Sequence, residues 1–145
     1  MTINFYAEDV GLPKINKAKL KKWIGQISEN ELCSIGDISV VFVSDQYLLQ
    51  MNVNYLSHDY LTDIITFDYS YNNNGKRVIS GDLFISIDRI EFNSKDYQVA
   101  FEHELHRVII HGVLHLIGFK DKTQKEFRLM KEKENESLEI LKTIN

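Results

Sequence analysis

Two histidines in the C-terminal part of the chain have the spacing of metal ligands. His111 and His115 are four residues apart in an apolar stretch that predicts a helix, so both imidazoles lie on one face. Gly118 follows three residues later, and a left-handed residue there would end the helix and turn the chain back. Asp121 would then reach the same face. Three such ligands leave one position of a tetrahedral ion for water, which is typical of a catalytic zinc site.

The same histidine spacing also occurs in helices whose imidazoles only pack and form hydrogen bonds. The glycine and the acid that follow favour the metal site over this structural alternative. Residues 111–121 read HGVLHLIGFKD and resemble the zincin peptidase motif HExxHxxGxxH, or its variant that ends in Asp. Gly112, however, stands where a peptidase needs Glu as its general base. The segment HELH at 103–106 has only two residues between its histidines. We therefore expect a metal site but not a peptidase.

Hydrophobic periodicity and turn residues predict the elements that hold these side chains. Strands are predicted at Ile3–Tyr6, Ile38–Val43, Asp63–Tyr69 and Val78–Ile87, with an Asn-Gly turn within Tyr71–Lys76. Helices are predicted at Lys14–Ile27, from a Ser44 or Asp45 cap to about Leu56, at about Tyr97–Ile117, and from a Thr123 capping box towards Ile144. This order predicts an α+β fold: a small mixed four-stranded sheet packed with helices, the central one carrying the metal ligands.

Composition limits the class of protein. The 145 residues predict one domain, 1–145, and the net charge of −4 excludes a surface that is basic throughout. Cys33 is the only cysteine, so no intrachain disulfide forms, and we expect it to be a small buried residue. The N-terminus has no basic-then-apolar signal, and the longest apolar stretch, Val108–Phe119, is too short for a bilayer. We therefore expect a cytoplasmic protein with no membrane partner.

Three blocks of the chain resemble the YbeY family of metal-dependent endoribonucleases. Residues 111–121 are similar to that family's HGxLHLxGYDH, and GDLFI at 81–85 is similar to its GDLVI strand. Residues 51–67 (MNVNYLSHDYLTDIITF) resemble LNxxYRxxDxPTDVLSF. The blocks keep the family's order and spacing over nearly the whole chain, and the first forty residues match least. Leu56 and Leu61 stand where that family has arginine and proline.

The resemblance implies a single-strand-specific endoribonuclease that matures small-subunit ribosomal RNA and takes part in ribosome quality control. Its substrate and partner would be ribosomal RNA in the small subunit, and its protein partners are left open. One zinc ion per chain, held by His111, His115 and Asp121, would polarise a phosphodiester and activate water or a ribose hydroxyl. Asp121 replaces the family's third histidine, and its oxygen can still bind zinc.

Several further residues are candidates for the chemistry. The general base is unassigned, and we consider His58, Asp59 and Asp63. Leu56 cannot hold a phosphate as an arginine would, which leaves Arg77, Arg89 or Arg107 as replacements. Four basic residues are candidates for contact with RNA: Lys19, Lys21 and Lys22 of a lysine-rich helix, and Arg107. For the lysines we favour the alternative that they form a solvated helix face. His103 and His106 are expected to be structural or surface groups.

Two other functions fit parts of the pattern. A non-catalytic ribosome-biogenesis factor with a structural zinc would explain the missing arginine, the acidic net charge and the unassigned base. A zinc-dependent hydrolase of another substrate would explain the ligands alone.

Overall fold

The computed structural model describes residues 2–145, which form a mixed α/β fold and confirm the predicted class. The strands are β1 (Thr2–Ala7), β2 (Cys33–Val43), β3 (Ile64–Asp68), β4 (Tyr71–Asn73) and β5 (Lys76–Ser86). The helices are α1 (Lys17–Asn30), α2 (Asp45–Leu56), α3 (Ile87–Asp96), α4 (Phe101–Ile117) and α5 (Gln124–Leu141).

The sheet is mixed, as predicted, but it has five strands and not four. Strands β1, β2 and β5 run parallel in that order, and β3 pairs antiparallel with the other edge of β5. The additional strand, β4, lies within the segment predicted only as a turn and pairs antiparallel with the start of β5. Asn74 and Gly75 both have positive φ, 53° and 80°, as a type I′ hairpin turn requires. This turn lets the three residues on each side of it pair.

The two faces of the sheet carry separate cores because successive strand residues point to opposite sides. Val40 and Phe42 of β2 belong to the larger core, which α1, α4 and α5 cover. Val41 and Val43 face the other side, where Leu48 of α2 packs against them. The near-continuous β-branched run of β2 is therefore buried on both faces.

Helix α4 is the central helix, and it begins later than predicted. It contacts α1, α3, α5, β3 and β5, so it sits at the middle of the larger layer. The chain before it forms the short helix α3, which the sequence prediction left out. Ser86 starts α3 by accepting a hydrogen bond from the Arg89 backbone N–H at 3.1 Å. The predicted strand extended through Ile87 because its apolar residues continue past this cap.

Two glycines let α4 and β3 lie close to β5. A Cβ atom at Gly112 would lie 2.7 Å from Ile64 Cδ1 and 3.0 Å from the methyl groups of Leu83. A Cβ atom at Gly81 would collide with the backbone carbonyl of Phe67 in the neighbouring strand. Position 112 therefore faces the sheet, where a larger side chain such as the glutamate of a peptidase would collide with Ile64 and Leu83.

Helices α1 and α5 close the outer side of the larger core. Trp23 is fully buried, and its Nε1–H donates to the Ser137 carbonyl of α5 at 2.7 Å. Cys33 at the start of β2 is buried, as expected. Within residues 2–145, none of the helices combines the length and the apolar character needed to cross a membrane.

Candidate metal centre and cleft

Three donor atoms converge at the C-terminal end of α4. His111 Nε2 lies 3.1 Å from His115 Nε2, and Asp121 Oδ2 lies 3.3 Å from each of these nitrogens. Ligand atoms of a tetrahedral zinc ion with bonds of 2.0–2.1 Å are about 3.4 Å apart. The three atoms thus match one face of such a tetrahedron, and two imidazoles with a carboxylate form a donor set that zinc accepts. These residues could hold a metal ion.

Two helix caps bring Asp121 back to the histidines. Gly118 ends α4 with φ +127°, and its N–H donates to the carbonyls of Leu114 and His115 at 3.1 Å. Thr123 begins α5 with the predicted capping box, in which Thr123 and Glu126 exchange hydrogen bonds of 2.9 and 3.1 Å. Only residues 119–122 separate the two caps, so Asp121 has little freedom to lie elsewhere.

A buried ionic network behind His111 was not predicted. His111 Nδ1 lies 2.7 Å from Glu134 Oε2 of α5, and the Glu134 side chain is only 1% exposed. The other oxygen of Glu134 accepts from Arg107 Nη1 at 3.2 Å. Arg107 also donates two hydrogen bonds to the buried Glu104, at 2.9 and 2.6 Å, and approaches Asp63 at 3.7 Å. One guanidinium therefore joins three acidic groups behind the metal ligands.

The pKa shifts of two groups in this network, Glu134 and Arg107, favour their charged forms. Burial raises the pKa of Glu134, but the hydrogen bond and charge of His111 and the charges of Lys131 and Arg107 together lower it further. The net result is a pKa below the ordinary value. The hydrogen bonds to Glu104 raise the pKa of Arg107 despite its burial.

Sequence signals for this network exist in hindsight. Glu104, Arg107, His111 and His115 follow at intervals of three and four residues, which places all of them on one helix face. Glu134 occupies the buried stripe of α5 between apolar residues, and a carboxylate at a core position is rarely there without a partner. Which partner it meets depends on how α5 packs against α4.

An open cleft of about 580 Å³ lies in front of the three donor atoms. The loop after α2, strand β3 and the turn before α5 form its walls. Asp63 and Asp68 line it together with Asp121, whereas Lys122 is the one lysine or arginine among its described lining residues. Arg107 and Arg77 approach Asp63 and Asp68 from outside this lining, at 3.7 and 3.4 Å, whereas Asp121 pairs with the two histidines.

The structure separates the three candidates for the general base. His58 and Asp63 line the cleft, whereas Asp59 is not among the described residues that line it. Burial raises the pKa of Asp63, and the charges of Arg107 and His111 offset this only in part. His58 stacks on Tyr60 with ring centroids 5.1 Å apart, and its Nδ1 is 3.0 Å from the Tyr60 hydroxyl.

The three arginines considered as replacements for the family arginine do not line the cleft, although Leu56 does. Arg77 donates to a backbone carbonyl near the end of α4, and Arg89 pairs with a carboxylate of α2. Arg107 is held in the buried network, which argues against its predicted contact with RNA. Lys122 is the cation that faces the cleft.

The lysines of α1 are not brought to the cleft. Lys21 and Lys22 are exposed, and Lys19 lies beside His106 at the other end of α4. His106 packs edge-on against the Trp23 ring at 5.9 Å, and burial lowers its pKa, which agrees with a structural role. Any contact of these lysines with RNA is therefore outside the cleft and stays a prediction.

Comparison with known proteins places the chain in a family. Residues 3–142 match the family model described as Endoribonuclease YbeY. The chain is 48% identical over 141 residues to Endoribonuclease YbeY of Parabacteroides distasonis, covering 97% of this chain and 96% of the relative. It is 47% identical over 141 residues to Endoribonuclease YbeY of Cytophaga hutchinsonii, with the same coverage.

A solved structure supports the fold. The solution structure of TM1509 from Thermotoga maritima aligns with a TM-score of 0.65 and 26% identity, covering 97% of this chain and 89% of that one. The motif blocks, the grouped histidines and acid, and the near full-length matches agree with one another: this chain belongs to the YbeY family of endoribonucleases.

Proposed function

We propose that this chain is a zinc-dependent endoribonuclease of 145 residues in one domain that cleaves single-stranded RNA in the cytoplasm. Its role would be maturation of small-subunit ribosomal RNA and ribosome quality control. The observation that carries the proposal is the group of three donor atoms facing an open cleft. Structural zinc sites use four protein ligands, whereas no fourth His, Cys, Asp or Glu atom joins this group within residues 2–145. This favours a catalytic site over a structural zinc.

The charges beside the donor atoms favour RNA binding when a cation is present. Arg107 and Arg77 pair with Asp63 and Asp68, but the Asp121 carboxylate lies among the donor atoms and would repel a phosphate that approaches them. When bound at His111, His115 and Asp121, a zinc ion supplies positive charge and Lewis acidity for the phosphodiester and the attacking water. We therefore expect RNA to bind more tightly when the metal is present.

Asp63 is the residue that we propose as proton acceptor. Its carboxylate lies on the cleft wall, and its raised pKa makes it a stronger base than an exposed aspartate. Arg107 lies 3.7 Å from Asp63 Oδ2 and holds the carboxylate in place from behind. Lys122, which also lines the cleft, would hold a phosphate oxygen.

The stacked pair of His58 and Tyr60 supports a preference for unpaired RNA. Tyr60 is 56% exposed beside the cleft, and its ring is parallel to His58 within 21°. The buried Asn52 side chain donates to the Tyr60 carbonyl at 2.9 Å and fixes the loop that carries both rings. Flat aromatic faces bind bases that are free to leave a helix, whereas duplex RNA keeps its bases stacked.

Ribosomal RNA as the substrate is supported by membership of the YbeY family and by curated relatives that carry the name endoribonuclease. Lys21 and Lys22 on α1 are exposed and remain predicted contacts to RNA backbone outside the cleft.

A cleavage assay tests this function. Labelled precursor of small-subunit ribosomal RNA is incubated with zinc-loaded protein, with chelated protein, and with chelated protein after zinc is restored. His115→Ala should abolish cleavage, whereas His103→Ala on the same helix is the matched control, because His103 is exposed and does not line the cleft.

The outcomes separate the candidate functions. Cleavage that needs zinc and His115, and that is lost when the same RNA is annealed to its complement, supports the proposal. Binding of RNA without cleavage would instead indicate a non-catalytic biogenesis factor. Elemental analysis of the purified protein identifies the metal.

A further inference from the structure

Helix α5 buries a carboxylate where its pattern calls for an apolar side chain. Glu134 lies in the stripe that also contains Met130, Leu138 and Leu141, and it is 1% exposed. A buried ion pair stabilises a fold no better, in general, than well-packed apolar residues of the same volume. The presence of Glu134 at this position therefore points to a role other than packing.

The contact that Glu134 makes identifies that role. A carboxylate can only accept, so the 2.7 Å bond to Glu134 Oε2 requires the proton of His111 to sit on Nδ1. The lone pair is then left on Nε2, which is the atom directed at His115 and Asp121. We propose that Glu134 is a positioning residue that holds His111 in the tautomer and ring orientation needed to bind the metal, an inference that rests on the proposed metal-dependent function.

Arg107 and Glu104 hold the Glu134 carboxylate in place. Glu104 holds the guanidinium with two hydrogen bonds, and Glu134 takes a third. Three acidic groups surround one guanidinium, so negative charge remains behind His111, and Lys131 at 3.6 Å from Glu134 balances it only from the surface. A negative group behind an imidazole makes it a better donor to a cation. The network therefore favours a metal ion on the far side of His111.

Glu104 provides a matched control. It is as buried as Glu134, it binds the same arginine, and none of its hydrogen bonds reaches His111. Glu134→Gln and Glu104→Gln are both near-isosteric, and each leaves Arg107 with one of its two hydrogen-bonded carboxylates. They should lower the free energy of unfolding to similar extents, but only Glu134→Gln places an amide against His111.

The test is titration of the metal-free proteins with Co²⁺, followed by the visible absorption of the tetrahedral ion. The wild-type titration tests the proposed metal site by itself. Glu134→Gln should weaken Co²⁺ binding by roughly 10- to 100-fold, with a changed absorption spectrum, while Glu104→Gln changes the affinity less than about threefold. Equal affinity of wild type and Glu134→Gln, or an equal loss in Glu104→Gln, would overturn the positioning role while leaving the metal site intact. Absence of Co²⁺ binding by the wild type would overturn the metal site itself.

A second measurement does not depend on a variant of Glu134. In the Zn²⁺-loaded wild type, the Nδ1 proton of His111 should give a downfield proton resonance that exchanges slowly with solvent, because it is bonded to a buried carboxylate. Assignment uses loss of the resonance in His111→Gln. Fast exchange of this proton in the wild type would contradict the inference, whether or not Glu134→Gln folds.

Discussion

His111 Nε2 and Asp121 Oδ2 lie 3.3 Å apart, although the chain between them leaves helix α4, reverses at Gly118 and approaches the start of α5. The site therefore depends on a helix end as much as on the helix itself. The ligand pair from α4 is set by helical spacing, whereas the third donor is set by two caps.

Removal of the Asp121 carboxylate should weaken zinc binding, whereas removal of another carboxylate of the cleft should not. Asp121→Ala should lower zinc affinity by more than the roughly 10- to 100-fold typical of a ligand's hydrogen-bond partner. Asp121→His should retain zinc, because the imidazole restores a neutral nitrogen donor in the same turn. Asp68→Asn, in the same cleft but outside the donor group, is the control. Isothermal titration with zinc measures all three, and unchanged affinity in Asp121→Ala would exclude Asp121 as a ligand.

The turn that returns Asp121 should be sensitive at its glycine. Gly118 has φ +127°, which side chains with a Cβ rarely adopt, so Gly118→Ala should cost about 1–2 kcal/mol of stability and weaken zinc binding. Gly25→Ala is the matched control, because Gly25 lies within α1 with open space around it and should gain up to about 1 kcal/mol. Thermal unfolding and zinc titration measure the two effects. A Gly118→Ala protein with normal zinc affinity would show that the turn does not set the position of Asp121.

The exposed ring beside the cleft should contribute to RNA binding through stacking. Tyr60→Ala should weaken binding of a labelled single-stranded RNA by about tenfold or more, since one stacked base contributes about 1–3 kcal/mol. Tyr60→Phe keeps the ring and should bind nearly as wild type. Tyr97→Ala is the control, because Tyr97 is equally exposed at 56% but does not line the cleft. Fluorescence anisotropy gives the affinities, and equal losses in the two alanine variants would rule out stacking at Tyr60.

Asp63 should show opposite effects on stability and on activity. Burial raises its folded-state pKa above the ordinary value of 3.8, so the folded protein binds the proton more tightly than the unfolded chain does. The free energy of unfolding contributed by Asp63 is therefore fully present below pH 3.8 and is lost as pH rises through the higher folded-state pKa. In the metal-free protein, Asp63→Asn should be more stable than wild type at neutral pH, and the difference should vanish below pH 3.8.

The same substitution removes the proposed proton acceptor, so RNA cleavage should fall by about 10²- to 10⁴-fold. Chemical denaturation across pH and single-turnover cleavage provide the two measurements. His58→Asn, at the other cleft residue considered as a base, is the comparison. A larger loss of cleavage in His58→Asn than in Asp63→Asn would move the role to His58.

Local signals in the sequence determined the ligand-bearing part of the site. The interval from His111 to His115, the glycine stop at Gly118 and the Thr123 capping box all act within a few residues. Helix geometry and capping chemistry depend on near neighbours, so the structure has these features where they were predicted. The strand at Ile38–Val43 and the α+β class followed from hydrophobic pattern in the same way.

Only the tertiary structure decided what lies behind and in front of the histidines. Glu134 is 23 residues from His111, and Arg107 meets it across two packed helices, so no local pattern could pair them. The cleft likewise depends on how β3 pairs with β5 and brings Asp63 towards α4. Side-chain partners across elements are set by register and packing, because a shift of one residue turns a strand's side chains to the opposite face. The residues that could bind a metal were therefore readable from the sequence. The packing of α5 against α4 determined which buried carboxylate contacts His111, and the pairing of β3 determined which residues face the ligands across the cleft.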